Sequence, residues 1–193
     1  MKTVVWDVDD VLNDLMRNWF SNAWRPAHPE CVLSYDEIRE NPPHRVLGVP
    51  LQTYLDSLDA FRATEGPKLE PVGEVLEWFR AHGHKARHMA LTAVPLRAAD
   101  ISAAWVLRHF GKWIRSFNVI PSPRLDETLP AYDQSKRDFL SWSRRGDIMV
   151  DDNVTTINDI QSSGIQTVLW SRPWNGNARS TAEHLHLMTR LIA

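Results

Sequence analysis

Apolar and polar positions follow one another along this chain in two rhythms. Short runs rich in apolar and β-branched residues recur at Thr3–Trp6, Arg87–Thr92, Ser116–Ile120, Asp147–Val150 and Thr167–Trp170. Runs of this length suit strands buried on both faces. Between them apolar residues return at helical spacing. Leu12, Leu15, Met16, Trp19, Phe20 and Ala23 predict a helix over 12–24. The same spacing predicts helices over Val72–His82, Leu96–Phe110, Asp133–Arg145, Thr155–Ser163 and Ala178–Ile192. The first four of these run into Gly83, Gly111, Gly146 and Gly164, and glycine readily ends a helix. Strands alternating with helices predict an α/β fold, a Rossmann-like core of three layers around a parallel sheet.

One stretch breaks the rhythm. Between Arg25 and Pro71 fall seven of the twelve prolines, with short helical patches such as LQTYLDSLDAF. Long excursions of this kind in a compact domain are more often functional lids than connectors. The chain therefore divides into a core of residues 1–14 and 71–193 and a small helical cap, residues 15–70, inserted after the first strand.

Composition narrows the function classes. A chain of 193 residues, 43% hydrophobic and 24% charged, suits one domain with a modest insertion. A formal charge of −2 supplies no basic field for polymeric nucleic acid and no polybasic membrane signal. No apolar run approaches the roughly 20 residues that span a bilayer, and the first residues lack a signal-peptide pattern. The single cysteine, Cys31, excludes an intramolecular disulfide and a thiolate zinc site. These features predict a cytoplasmic protein with no membrane partner; a homo-oligomer stays open.

In a parallel sheet ligands bind beyond the carboxyl ends of the strands, and there the chain places its acids. The stretch VVWDVDDVLND carries Asp7, Asp9 and Asp10 directly behind the first strand. Thr92 follows the second strand, Asp151, Asp152 and Asn153 follow the fourth, and Lys136 stands near the start of the helix between the third and fourth. Clustered carboxylates repel unless a cation compensates them, and an all-oxygen ligand set suits Mg²⁺. A divalent ion beside a lysine and a hydroxyl is a site for phosphate. Asp7 and Asp9, two residues apart in an extended segment, point the same way. One can attack phosphorus while the other moves the proton.

These segments resemble the four motifs of the haloacid-dehalogenase (HAD) superfamily. VVWDVDDVL is similar to the first motif, with Asp7 matching its nucleophile and Asp9 its acid/base. LTAVP resembles the second through Thr92, DQSKRDFL the third through Lys136, and IMVDDN the fourth. The resemblance implies Mg²⁺ held by Asp7, the Asp9 backbone carbonyl and Asp152, with Asp151 in support, and phosphate held by Thr92, Ala93 and Lys136. Within the superfamily the helix PVGEVLEWFRAHGH, the segment FGKWIRSFNVI and the late SRPWN look most like the 5'(3')-deoxyribonucleotidase group. Two positions depart from that group. Asp10 stands where Gly is usual, and Ala93 where a Ser follows the Thr, which removes one expected phosphate contact.

Each of these residues also has a plainer reading. Aspartates after strands serve as turn residues and caps, Thr92 alone reads as a helix N-cap, and Lys136 as a solvated lysine with Lys112 as its rival. Trp19, Trp24, Tyr54 and Phe61 either stack on a ligand or form the insert's own small core. Trp170 and Trp174 either wall the site or merely flank a strand, and Arg172 either meets an anion or is exposed. The histidines show no ligand spacing. The joint pattern predicts a Mg²⁺-dependent phosphohydrolase of a small phosphorylated metabolite or nucleotide, through an aspartyl-phosphate. The rivals are a phosphomutase on the same fold and a non-catalytic protein that binds phosphate and Mg²⁺.

Overall fold

In the computed structural model, which describes residues 1–130 and 132–193, β1 (Thr3–Trp6) lies near the middle of a five-stranded parallel sheet. After it come α1 (Leu15–Trp19), a π-helical turn (Phe20–Trp24), α2 (Arg25–Ala27), α3 (Leu51–Thr64) and α4 (Gly73–His82). The regular alternation then runs β2 (Arg87–Val94), α5 (Ala99–Phe110), β3 (Ile114–Pro121), α6 (Lys136–Ser143), β4 (Ile148–Asp151), α7 (Val154–Gln161), β5 (Gln166–Leu169) and α8 (Thr181–Leu191). The strand order is β3-β2-β1-β4-β5, with Trp6 paired to Ala90 on one side and to Val150 on the other.

Three layers follow from the period of two along β1. Val4 and Trp6 face one apolar cluster with Val75, Trp78, Phe79, Trp105, Phe110 and Met188, contributed by α4, α5 and α8. Val5 faces the opposite cluster with Met89, Leu91, Leu140, Met149 and Ile160, backed by α6 and α7. Val4, Val5 and Trp6 are each 0% exposed. Such burial stabilises by roughly 1.5–3 kcal/mol per large apolar side chain. Gly146, with φ +105, ends the loop into β4 where an added Cβ would sit 2.7 Å from Val5 Cγ2. Only glycine satisfies both conditions.

A third cluster belongs to the insert. Leu15, Met16, Trp19, Phe20, Trp24, Tyr54 and Phe61 pack together, with Trp19 5.3 Å from both Trp24 and Tyr54 between ring centroids. The insert aromatics thus form its own core, although Tyr54 also lines the cavity described below. Cys31 packs against the same cluster as a free thiol. No helix among the described residues is long and apolar enough to cross a membrane.

Several boundaries differ from the sequence pattern for local reasons. The helix expected from Leu12 starts at Leu15, because Val8–Asn13 fold into a turn in which Leu12 N donates to Val8 O at 2.9 Å. The stretch from Asp133 becomes helical only at Lys136, where the Ser135 hydroxyl accepts from Asp138 N at 3.1 Å as the N-cap. β2 runs two residues further than expected, so Thr92 lies inside a strand and is not a helix cap.

Candidate active site

The parallel sheet delivers the carboxyl ends of β1, β2, β3 and β4 to one edge. Asp7 is the first residue past β1 and is anchored there by its N–H, which donates to Val150 O at 2.9 Å. Asp151 ends β4 and Asp152 follows it. One carboxylate oxygen from each of Asp7, Asp151 and Asp152 lies within 4.8 Å of the other two, and all three residues are buried. Residues 144 positions apart in the sequence thereby share one small volume. Among the described residues this is the only such cluster of potential metal ligands.

Lys136 sits inside the same group. Its Nζ donates to Asp151 Oδ2 at 2.7 Å and lies 2.8 Å from Asp7 Oδ1. Asp151 is further fixed by Asn153 N, which donates to its Oδ1 at 2.8 Å. Asp152 Oδ2 accepts from the Trp174 indole at 2.7 Å, and its backbone carbonyl from Asn175 Nδ2 at 2.8 Å. Lys112, the rival lysine, precedes β3 at the opposite end of the sheet and lies over the Trp113 ring.

Three buried carboxylates against one ammonium leave a deficit of positive charge, and the titration of the group reflects it. Burial pushes Asp7 up to about 7; Lys136 pulls against this, while Asp151 and Asp9 add to it. Burial, then the charges of Asp151, Asp7 and Asp10, hold Asp152 well above the usual carboxylate range. Lys136 is raised above the ordinary lysine range because Asp151 and Asp7 outweigh its own burial.

This donor set fits a divalent cation. All donors are hard oxygens, their spacing allows one ion to be shared, and the surplus of two negative charges matches it. Asp7 Oδ1 is buried and its one polar neighbour is the Lys136 ammonium at 2.8 Å, which Asp151 shares, so the group keeps acceptor capacity for an ion.

Asp9 stands apart from the trio. Asp9 follows the end of β1 by three residues, and its carboxylate is held by neighbours other than Lys136. Its Oδ1 accepts from Asn13 Nδ2 at 3.2 Å and its Oδ2 from Arg62 Nη2 at 3.0 Å. It nevertheless lines the same cavity, of about 610 Å³, as Asp7, Thr92, Ala93, Lys136 and Asp152. Thr92 is 1% exposed, whereas Ala93 is exposed and carries no hydroxyl.

The turn that carries these residues is built by Asp10 and Arg172. Asp10 has φ 61, the left-handed conformation in which Gly is usual and Asp tolerated. Its Oδ1 accepts from Met16 N at 3.0 Å, and its carbonyl from Arg172 Nε at 2.6 Å. Burial pushes its carboxyl up to about 7 against the pull of Arg172. Arg172 also pairs with Asp14 at 2.7 Å and is largely buried, so it braces the turn and is not an exposed arginine. Of the two late tryptophans, Trp174 reaches the site through Asp152, while Trp170 stacks on His184 in the core. His88 bridges Trp6 Nε1 and Gly83 O as a core residue.

Sequence spacing gave no sign of Arg62 or Asn13 at the site, and left Trp174 open between walling it and flanking a strand. The three arrive there from the insert, from the turn and from the segment after β5.

No family model and no curated protein matches the chain. Solved structures do. A haloacid-dehalogenase-like hydrolase from Streptococcus pneumoniae superposes with a TM-score of 0.59 at 11% identity, over 86% of this chain and 83% of that one. The chain has the HAD-like fold. A candidate β-phosphoglucomutase from Thermotoga maritima gives 0.57 at 16% identity, over 99% of this chain and 100% of the other. A candidate HAD hydrolase from Bacillus subtilis, solved with magnesium bound, gives 0.52 at 13% identity over 99% and 98%. Structures similar to this HAD-like chain include hydrolases and phosphatases of that superfamily, a candidate mutase and the protein tyrosine kinase A of Mycobacterium tuberculosis, at a TM-score of 0.60 and 19% identity over 93% of this chain and 89% of that one.

Proposed function

We propose that this protein is a divalent-cation-dependent phosphohydrolase that cleaves a small phosphomonoester through an aspartyl-phosphate. The observation that carries the reading is the convergence of Asp7, Asp151 and Asp152 with Lys136 at the carboxyl edge of the sheet. In this reading Asp7 attacks phosphorus and Asp9 protonates the departing oxygen. Asp9 then takes a proton from the water that cleaves the acyl phosphate. Lys136 and Thr92 neutralise and orient the phosphoryl oxygens. Asp7, Asp152 and the Asp9 carbonyl would hold Mg²⁺, which when bound offsets charge on the transferring group. Asp151 positions Lys136, to which it is bonded at 2.7 Å.

The substrate side of the cavity joins Met16, Tyr54, Leu55 and Leu58 of the insert to the charged floor. A volume of about 610 Å³ admits a molecule the size of a nucleotide, and a deoxyribonucleotide is the finer assignment. The absence of a hydroxyl at Ala93 leaves the phosphate one donor short of that group's usual set. The mutase among the structural neighbours supports a second reading, transfer of the phosphoryl group back to a sugar phosphate.

The deciding experiment is a phosphate-release panel of nucleotides, sugar phosphates and phosphorylated acids, with and without Mg²⁺, for wild type and Asp7→Asn. Mg²⁺-dependent release that Asp7→Asn abolishes supports the hydrolase. An Asp7→Asn protein as fast as wild type refutes the mechanism. An isomerised sugar phosphate in place of free phosphate selects the mutase, and Mg²⁺ binding without any turnover selects a binding protein.

A further inference from the structure

We propose that Arg62, on insert helix α3, is a positioning residue for Asp9, and that Asp59 one turn earlier holds Arg62 to that task. The inference rests on the acid/base role given to Asp9 above. The Asp9 carboxylate is gripped at both oxygens, by Asn13 Nδ2 at 3.2 Å and by Arg62 Nη2 at 3.0 Å. A carboxylate offers about four lone-pair positions. Two contacts therefore fix the plane of the group and leave acceptor edges for the proton it handles.

Both grips are themselves anchored. Asn13 Oδ1 accepts from Asp10 N at 3.2 Å and from Leu15 N at 3.0 Å, so its amide cannot turn without breaking the turn. Arg62 has a side chain only 12% exposed, and its Nη1 lies 3.4 Å from Asp59 Oδ1. Asp59 in turn receives a two-pronged contact from Arg124, at 2.7 and 2.9 Å, and a third from Arg97 at 3.1 Å. Arg97 follows β2 and Arg124 follows β3. The guanidinium at Asp9 is thus located by the loops after two strands, β2 and β3, through a single turn of α3.

The insert already has an apolar core of its own, and burying an arginine carries a desolvation penalty that Asp9 and Asp59 must first offset, as the raised pKa of Arg62 shows they do. A fixed charge pair at a reacting carboxylate limits the geometries that group can adopt, which is the condition for efficient proton transfer.

Leaving-group dependence separates this role from docking or substrate binding, because p-nitrophenolate departs without a proton and an alkoxide does not. The full-length protein with Mg²⁺ is assayed on p-nitrophenyl phosphate and on the fastest alkyl phosphomonoester of the panel. Arg62→Met lowers kcat/KM about 30-fold for the alkyl ester, within the 10²–10⁴-fold range of general acid catalysis, and less than about threefold for the nitrophenyl ester. Arg62→Lys recovers part of the loss. Asp59→Asn shows the same pattern more weakly, and the double variant is no slower than Arg62→Met. An equal loss on both esters, or no loss on either, overturns the proposal.

A denaturation double-mutant cycle on Asp9→Asn and Arg62→Met reads the pairing without turnover. Coupling of about fivefold or more in the unfolding constant supports it, and coupling below twofold overturns it. If wild type hydrolyses no phosphomonoester while the cycle shows coupling, the hydrolase reading fails and the positioning role fails with it, while the pairing stands. If wild type turns over and the Arg62 variants match it, only the inference fails.

Discussion

Replacing the proposed nucleophile should make the ion-free protein more stable. Burial raises the Asp7 carboxyl from 3.8 to about 7. At about 1.4 kcal/mol per pH unit, this costs the fold about 4 kcal/mol once the pH exceeds 7. The sign follows from proton uptake. A carboxyl with a raised folded-state pKa binds more protons folded than unfolded, so the cost is absent below about pH 3.8. It grows as the pH rises and is complete above 7. Asp7→Asn removes the charge but also one partner of Lys136, which keeps Asp151 at 2.7 Å. The net gain at pH 7.5 is then about 2 kcal/mol, or roughly 4–8 °C in Tm for a chain of this size.

The assay is thermal unfolding in a chelator, repeated with Mg²⁺, at pH 7.5 and at pH 4.5. The variant should melt higher than wild type at pH 7.5, with the advantage shrinking at pH 4.5. Mg²⁺ should raise the wild-type Tm and move that of the variant far less. An Asp7→Asn protein no more stable than wild type at pH 7.5 would show that the three carboxylates do not strain the fold.

Three further outcomes are expected. Trp174→Phe keeps the ring but loses the N–H that holds Asp152 at 2.7 Å, so calorimetry should show Mg²⁺ affinity about tenfold weaker; unchanged affinity would separate Asp152 from the ion. His88 is held neutral, its pKa pushed down to about 4 by burial, whereas the unfolded chain takes up that proton near 6.5. Its contribution is therefore lost as the pH falls, and the stability gap between wild type and His88→Gln should narrow by about 2 kcal/mol from pH 7 to 4.5 in urea titrations; a constant gap would refute a neutral His88. Asp10 has φ 61, so Asp10→Gly should be more stable than Asp10→Ala by about 1 kcal/mol. Equal urea midpoints would mean that the turn relaxes to accept a Cβ.

The sheet was legible because each strand carries its own signal. Thr3–Trp6 is apolar on both faces and coincides with β1, and the expectation that acids after β1 and β4 meet needed only the parallel order of the strands. Lys136 was legible for a similar reason. Ser135 caps its helix, so the lysine falls in the first turn and faces the strand ends.

Features set by tertiary contact were not legible. Periodicity starts the helix at Leu12, yet side-chain bonds from Asn13 and Asp10 in the turn before it compete with the helix and delay it to Leu15. Arg62 is an ordinary helix cation until folding brings it 3.0 Å from a carboxylate 53 residues away. Trp174 follows a strand and carries no mark of its bond to Asp152.

That indole has neighbours on two sides. It packs against the insert's aromatic cluster, edge-on to Tyr35 with centroids 6.2 Å apart, while its N–H holds a carboxylate on the sheet. A displacement of the helical segment that carried Trp174 with it would pull on an ion ligand. An ion that draws Asp152 inward would in turn resist that displacement. If Asp152 holds the proposed ion, linkage makes the two effects equal, so cation affinity would report where the helical segment sits, and a label on that segment would report whether the cation is bound.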